Sequence, residues 1–117
     1  MRWFVLTGSL VLAGQVMAET LPQSGFHDMI AEPPTYRMRY VIKGLGGPGK
    51  GFADLSDQMA QLCQDALPYL RESGHVPERV VITLMSRPVT YGVADPGAVQ
   101  FFESYLIEND LCIWEAF

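Results

Sequence analysis

Four carboxylates lie close together near the C-terminus, and paired carboxylates can serve as the general acid and base that cleave glycosidic bonds. The four residues are Glu103, Glu108, Asp110 and Glu115. Along β-strands such residues more often form the solvated face of a sheet, which is the interpretation we favour. A small periplasmic hydrolase therefore stays an alternative function, and it requires Glu103, Glu115 and Arg87 to converge in one concave site.

A glycine-rich loop at residues 44–51 partly matches a phosphate-binding motif. Gly44, Gly49 and Lys50 match the first part of the P-loop pattern, and backbone amides that precede a helix can bind phosphate. Gly51, however, occupies the position at which that motif needs a magnesium-binding Ser or Thr, and a glycine-rich segment matches such patterns by chance. We therefore interpret the loop as a flexible connector, and we expect no cofactor.

The histidines and serines form no recognisable catalytic or metal site. His27 and His75 are the only histidines, and both are expected at exposed positions, where an acid/base or metal role is the weaker interpretation. Ser86 and Ser104 have no histidine at a spacing typical of a nucleophilic triad. We therefore predict no metal and no catalytic residue, so that a non-enzyme is favoured over an enzyme.

The first 18 residues have the order of a secretory signal peptide. Met1-Arg2 supplies one positive charge, an uncharged apolar stretch follows, and Val16-Met17-Ala18 offers a cleavage site before Glu19. The alternative is a membrane anchor, but the apolar run of about 15 residues is shorter than the ~20 that a spanning helix needs. We therefore predict a signal peptide at residues 1–18, a periplasmic or secreted product, and no stable membrane insertion after cleavage.

The charge that remains after cleavage argues against nucleic acid as a partner. Loss of Arg2 with the signal peptide leaves 7 basic residues against 13 acidic ones. Nucleic-acid phosphates and anionic membrane surfaces both need a basic patch on the protein. The acidity is more simply explained as a contribution to solubility.

Cys63 and Cys112 are the only cysteines. An even number of cysteines in a small exported domain indicates a disulfide. The bridge would close a loop of about 50 residues, for which the loop-entropy model gives a stabilisation of about 4 kcal/mol. Two buried free thiols are the alternative, since cysteine packs as a small apolar residue. A catalytic or metal role is weaker still, because there is no C-x-x-C pair.

Hydrophobic periodicity predicts one helix and several strands after an extended lead-in at residues 19–34. Residues 35–43 alternate between apolar and charged side chains, which is typical of a half-buried strand. Residues 52–74 carry one apolar stripe at helical spacing. Residues 79–86 are almost continuously apolar, which indicates a central strand. Residues 35–117 are therefore predicted to form a single domain.

The C-terminal region from residue 95 to 107 is ambiguous. Val99, Phe102 and Leu106 would share a helix face, whereas the aromatic and β-branched residues there favour a strand. We prefer a β-hairpin of residues 100–107 with residues 111–116. The predicted fold is therefore α+β, with one amphipathic helix packed on an antiparallel sheet of four or five strands and a C-terminal β-hairpin.

A possible interaction surface combines arginine with aromatic and polar side chains, which are the residue types of protein-binding patches. It comprises Arg87, Tyr91, Gln100, Glu103 and Trp114. The alternative is that Tyr91 and Trp114 pack in the core, where they would be unavailable to a partner.

The second half of the chain also carries several short motifs in a fixed order. They are Leu62-Cys63, Arg87-Pro88-Val89 with Tyr91-Gly92, Asp95-Pro96, Gln100-Phe101-Phe102-Glu103 with Tyr105, and Cys112-Ile113-Trp114-Glu115 with Phe117. Through these motifs, residues 36–117 resemble an uncharacterised family of small exported alphaproteobacterial proteins, a domain of unknown function. The family pattern pairs a helix cysteine with a strand cysteine, which implies the Cys63–Cys112 bridge, and it implies no activity.

These observations together favour a small periplasmic protein that is not an enzyme. We expect it to bind an unknown protein partner in the cell envelope or to stabilise an envelope assembly. Binding of a small ligand or sugar by the aromatic side chains is a further possibility without a specific signal.

Overall fold

The computed structural model describes residues 25–117, in which five strands and one helix are formed. In chain order they are β1 (Phe26–Glu32), β2 (Thr35–Val41), α1 (Phe52–Glu72), β3 (Arg79–Met85), β4 (Gln100–Glu108) and β5 (Leu111–Glu115). The predicted signal peptide and the first part of the predicted lead-in, residues 19–24, lie outside the described residues.

The five strands form one sheet in the order β1-β2-β3-β4-β5, with α1 packed on one of its faces. The predicted α+β fold with a single helix and a C-terminal hairpin, β4–β5, is confirmed. The neighbours β2 and β3 run parallel and every other pair is antiparallel, so the sheet is mixed. The reason is that α1 connects β2 to β3 and returns the chain to the end at which β2 began, as a parallel pair requires.

Strand β1 lies within the segment that the sequence indicated only as an extended lead-in. It pairs with β2 through a tight connection at Pro33-Pro34. Residues 89–93 form no strand and belong to the loop between β3 and β4.

The core lies between α1 and the sheet face that α1 covers. Alternate residues of β2 and β3 point into it, because successive side chains of a strand point to opposite faces. They are Tyr36, Met38 and Tyr40 of β2, and Val80, Ile82 and Leu84 of β3. The buried stripe of α1 is Leu55, Met59, Leu62, Cys63, Ala66, Leu67 and Leu70, as the periodicity predicted.

The two ends of α1 follow from local sequence. At its start the Gly51 N–H donates to the Asp54 carboxylate at 2.9 Å, which satisfies one backbone donor of the first turn. The helix continues through Pro68 to Glu72 and is followed by Gly74, whose φ of +86° suits the termination of a helix.

A disulfide between Cys63 and Cys112 links α1 to β5. Both cysteines lie on the core side of the molecule, and Cys63 is fully buried. Beside the bridge, the Gln64 side chain accepts a hydrogen bond from the Cys112 N–H and donates one to the Asp110 carbonyl. The helix is therefore tied to the hairpin both covalently and by hydrogen bonds.

The opposite sheet face carries no helix, and we call it the open face. Residues 86–99, which we call the crossing loop, lie against part of it and bury Val89. The base of the loop is closed by Ser86 and Val99, which exchange two hydrogen bonds of 2.9 Å. The crossing loop turns one part of a flat sheet surface into a concave one.

Candidate binding site

Four side chains form a row across the open face because of the strand register. Asp28 of β1 lies opposite Arg39 of β2, Arg39 opposite Thr83 of β3, and Thr83 opposite Phe102 of β4. A carboxylate, a guanidinium, a hydroxyl and an aromatic ring therefore follow one another at the spacing of neighbouring strands, about 5 Å.

Arg39 is the most buried charged residue of this row, with 5% of its surface exposed. Its guanidinium donates two hydrogen bonds to the Asp28 carboxylate, at 2.7 and 2.8 Å, in a fork geometry. A third bond of 2.8 Å goes from its Nη1 to the Val89 carbonyl of the crossing loop. Arg39 thus joins β1, β2 and the loop, and its hydrogen bonds to Asp28 lower the pKa of that carboxyl.

Tyr91 closes over the two arginines of β2. Its ring centroid lies 5.7 Å from the Arg39 guanidinium carbon and 5.9 Å from that of Arg37, within the range of cation–π contact. Its hydroxyl donates to Glu32 at 3.1 Å, and Arg37 Nε donates to the same carboxylate at 2.8 Å. These two hydrogen bonds, that of Arg37 first, lower the pKa of Glu32.

A cavity of about 300 Å³ lies between the crossing loop and the open face, and we call it the loop pocket. Its lining from the sheet is Arg37, Arg39, Thr83, Gln100 and Phe102, and its lining from the loop is residues 89–94. The loop residues are shaped by a turn in which the Val93 N–H donates to the Thr90 carbonyl, and Gly92 adopts a φ of +82° that favours glycine.

The loop pocket contains polar groups that the described part of the chain leaves without a partner. Thr83 is only 2% exposed, yet its hydroxyl makes no hydrogen bond within residues 25–117. The same holds for the two terminal nitrogens of Arg37, which bonds to Glu32 through Nε alone. A buried polar group without a partner costs free energy, so the hydroxyl of Thr83 points to a ligand or an ordered water in the pocket.

Comparison with known families places nearly the whole chain in one of them. The model of a family of unknown function, DUF6497, matches residues 11–117. The chain belongs to the DUF6497 family. No curated protein and no solved structure matches it. The resemblance to a domain of unknown function is thereby confirmed, while the bacterial range and the export of the family stay predictions.

The structure of the DUF6497 chain divides the five residues of the predicted interaction surface between two faces. Tyr91 and Gln100 line the loop pocket on the open face. Glu103 and Trp114 lie on the helix side, where the indole Nε1 donates to the carboxylate at 3.0 Å. Arg87 pairs with Asp95 within the crossing loop, at 2.7 Å. The separation of Gln100 from Glu103 follows from strand geometry, because residues that are three apart on one strand point to opposite faces.

Several residues of the loop pocket were not singled out from the sequence. The alternation of residues 35–43 predicts only that Arg37 and Arg39 lie on the charged side of a strand. Asp28, which pairs with Arg39 but does not line the pocket, falls in the predicted lead-in. Thr83 lies in the almost continuously apolar run that indicates a central strand. The sequence contains one signal that could have identified these arginines, the alternation of β2. It places two arginines on the same face of the strand, and a charged side chain needs a partner wherever another segment covers that face.

The residues that a DUF6497 hydrolase would use do not converge. Glu115 accepts hydrogen bonds from Arg79 and Ser104 on the open face. Glu103 lies on the opposite face of the sheet, and Arg87 belongs to the crossing loop. The concave site that the hydrolase hypothesis requires is therefore not formed by these residues.

The other motifs of the DUF6497 chain show no site. Lys50 donates to the Lys43 carbonyl at 2.8 Å, so it is engaged within the glycine-rich loop. Among residues 25–117, no group of three His, Cys, Asp or Glu side chains could hold a metal ion. Within the same part of the chain, no helix is long and apolar enough to cross a membrane.

Acidification is expected to destabilise the fold only below about pH 4.5. The pKa values of Asp28, Glu32 and Glu115 are lowered by hydrogen bonds from Arg39, Arg37 and Arg79 respectively, from ordinary values of 3.8 for Asp and 4.5 for Glu. A carboxyl group with a lowered pKa in the folded state contributes stability above its unfolded pKa and loses it as the pH falls through the folded pKa. The free energy of unfolding should therefore stay level from pH 7 to about 5 and fall as the pH is lowered further below about 4.5.

Urea denaturation at a series of pH values measures this dependence. The variant Arg39→Met, which lacks the partner of Asp28, should show a shallower decline. Stability that rises on acidification would contradict the assignment of these carboxylates to ion pairs.

Proposed function

We propose that this chain is an exported, non-enzymatic binding module that engages another protein of the cell envelope through the loop pocket. The observation that carries the proposal is the Thr83 hydroxyl, which is buried in the pocket without a hydrogen-bond partner among residues 25–117. A hydroxyl held in this way is available to a group that enters the pocket from outside.

The rim of the loop pocket has the composition of an interaction site. Tyr91 and Phe102 are 43% and 44% exposed, beside the arginines of β2. Aromatic residues and arginine dominate the residues that contribute most to protein–protein affinity, where they lie in rigid, well-packed surroundings. Here the ion pair of Arg39 with Asp28 and its bond to the loop supply that rigidity.

The size of the loop pocket favours one inserted side chain or chain end over a large cofactor. A volume of about 300 Å³ stands at the lower limit of small-molecule sites. The flat part of the open face beside it offers further contact area, because Phe102 and Ile113 are exposed there. A partner could therefore place one group in the pocket and lie across β4 and β5.

Export is the second part of the proposal, and two features support it. The N-terminal residues have the order of a signal peptide. The disulfide is consistent with an oxidising compartment, since disulfides persist in the periplasm and outside the cell and are rare in the cytosol.

Co-purification from the native envelope with Phe102→Ser tests the proposed function. Phe102 lines the pocket and is exposed, so its replacement should leave folding intact and remove most of the bound partner. Val76→Ser is the matched control, because Val76 is also an exposed apolar residue but lies outside the pocket, just before β3. Equal recovery of the same partner with both variants, at unchanged thermal stability, would exclude the pocket as the binding site.

A further inference from the structure

The polar groups that remain free in the loop pocket are mainly hydrogen-bond donors. Guanidinium has five N–H donors and no acceptor. Arg37 uses only its Nε–H within the described chain, so the N–H groups of its two terminal nitrogens remain available. The Thr83 hydroxyl and the Gln100 amide can each donate as well. The best complement is a group that only accepts, and the planar pair of oxygens in a carboxylate matches the terminal nitrogens of arginine.

The charge balance of the site favours a group with a single negative charge. Arg37 and Arg39 are already paired with Glu32 and Asp28, so these four residues sum to zero. A doubly charged phosphate would leave an excess of negative charge beside two carboxylates in an acidic protein. A carboxylate leaves only a single excess negative charge, which the partly exposed guanidinium of Arg37 can offset by charge-assisted hydrogen bonds.

The aromatic residues complete the description of the ligand. Tyr91 and Phe102 border the pocket with exposed ring surface, and Val93 adds an apolar contact from the loop. A ligand that complements both the hydrogen-bond donors and the aromatic rings of the pocket has a carboxylate and an apolar group a few bonds apart. The terminal residue of a polypeptide with an apolar side chain has this chemistry.

We propose that the loop pocket binds the C-terminal carboxylate of a partner polypeptide whose last residue is apolar, through Arg37 and Thr83. This inference rests on the proposed function and specifies the group that the module recognises. It places the carboxylate against the terminal nitrogens of Arg37 and the Thr83 hydroxyl, and the apolar side chain against Tyr91 and Phe102.

Binding of three small probes, followed by amide chemical shifts of the purified mature protein, tests this inference. N-acetyl-L-phenylalanine carries the terminal carboxylate, N-acetyl-L-phenylalaninamide lacks it, and the α-amide of N-acetyl-L-glutamate has a side-chain carboxylate instead. Because a charge-assisted hydrogen bond is lost with the amide, the first probe should bind at least about 10-fold more tightly than the second. Its shift changes should centre on Thr83, Tyr91 and Gln100.

The substitution Thr83→Val separates a ligand-binding hydroxyl from a structural one. Because this hydroxyl has no partner within residues 25–117, its replacement by a methyl group should leave the melting temperature equal or higher. It should also weaken binding of N-acetyl-L-phenylalanine about 5- to 10-fold, the equivalent of one hydrogen bond. Thr35→Val, on the same face but outside the pocket lining, is the control and should change neither quantity.

Three results would overturn the inference. The first is equal affinity for N-acetyl-L-phenylalanine and its amide, and the second is the absence of shift changes in the pocket with N-acetyl-L-phenylalanine. The third is equal affinity for the glutamate probe, which would refute recognition of a chain terminus. Each of them leaves the proposed function to be judged by the co-purification experiment, which uses no carboxylate probe.

Discussion

Reduction of the Cys63–Cys112 bridge is expected to lower the free energy of unfolding by about 4 kcal/mol. The two cysteines are 49 residues apart in sequence, and the bridge restricts the unfolded chain by closing a loop of that length. In a domain of this size such a loss corresponds to a fall in melting temperature on the order of 15–30 °C. Thermal unfolding of the same purified protein, with and without reductant, measures it.

The comparison of oxidised with reduced protein is preferable to substitution of the cysteines. Cys63 is fully buried, so its replacement by alanine would add the cost of a cavity to the loss of the bridge. Equal melting temperatures with and without reductant, with reduction verified by mass, would contradict the stabilising role of the bridge.

The substitution Arg39→Met is expected to cost about 3 kcal/mol and to release the crossing loop. Methionine preserves most of the side-chain length, but it leaves the Asp28 carboxylate and the Val89 carbonyl without their donor. Removal of one partner from a buried ion pair is strongly destabilising, and the partial exposure of Asp28 moderates the effect here. Urea denaturation gives the cost, and limited proteolysis within residues 86–99 detects release of the loop.

Arg37→Met is the matched control for Arg39→Met. It removes the same charge from the same face of β2, but its ion pair with Glu32 is largely exposed. Such pairs contribute at most about 1 kcal/mol. If both variants lose the same small amount of stability and neither becomes more sensitive to protease, Arg39 does not anchor the crossing loop.

The core side of this fold could be predicted because its signals are local and periodic. The alternation in β2 and the apolar stripe of α1 each report a buried face. The helix boundaries follow from Gly51, Asp54 and Gly74 in the same direct way. Cys63 falls within the predicted stripe, so the sequence also placed the bridge on the buried side of the helix.

The open face could not be predicted in the same way because it depends on which strands become neighbours. Asp28, Arg39, Thr83 and Phe102 come from four strands that are distant in sequence, and only the register brings them into one row. Taken singly, none of these residues indicates a binding site. A charged residue on an alternating strand, for example, normally faces solvent. The interaction surface predicted from the sequence therefore included Tyr91 and Gln100 but missed the arginines beneath them.

The parallel pairing of β2 with β3 is a further feature that the local pattern did not determine. Both strands are consistent with either direction, and the direction depends on how many elements lie between them. A single helix between them returns the chain to its starting end, so the connected strands run parallel.

Site-specific photo-crosslinking in intact cells tests most directly whether the loop pocket is the binding site. A photoreactive residue would replace Val93 at the rim of the pocket in one strain and Val76 outside it in another; these side chains are 58% and 81% exposed. If the loop pocket is the binding site, position 93 should give a discrete crosslinked protein and position 76 none. A crosslink from position 76 alone, or equal products from both positions, would contradict it.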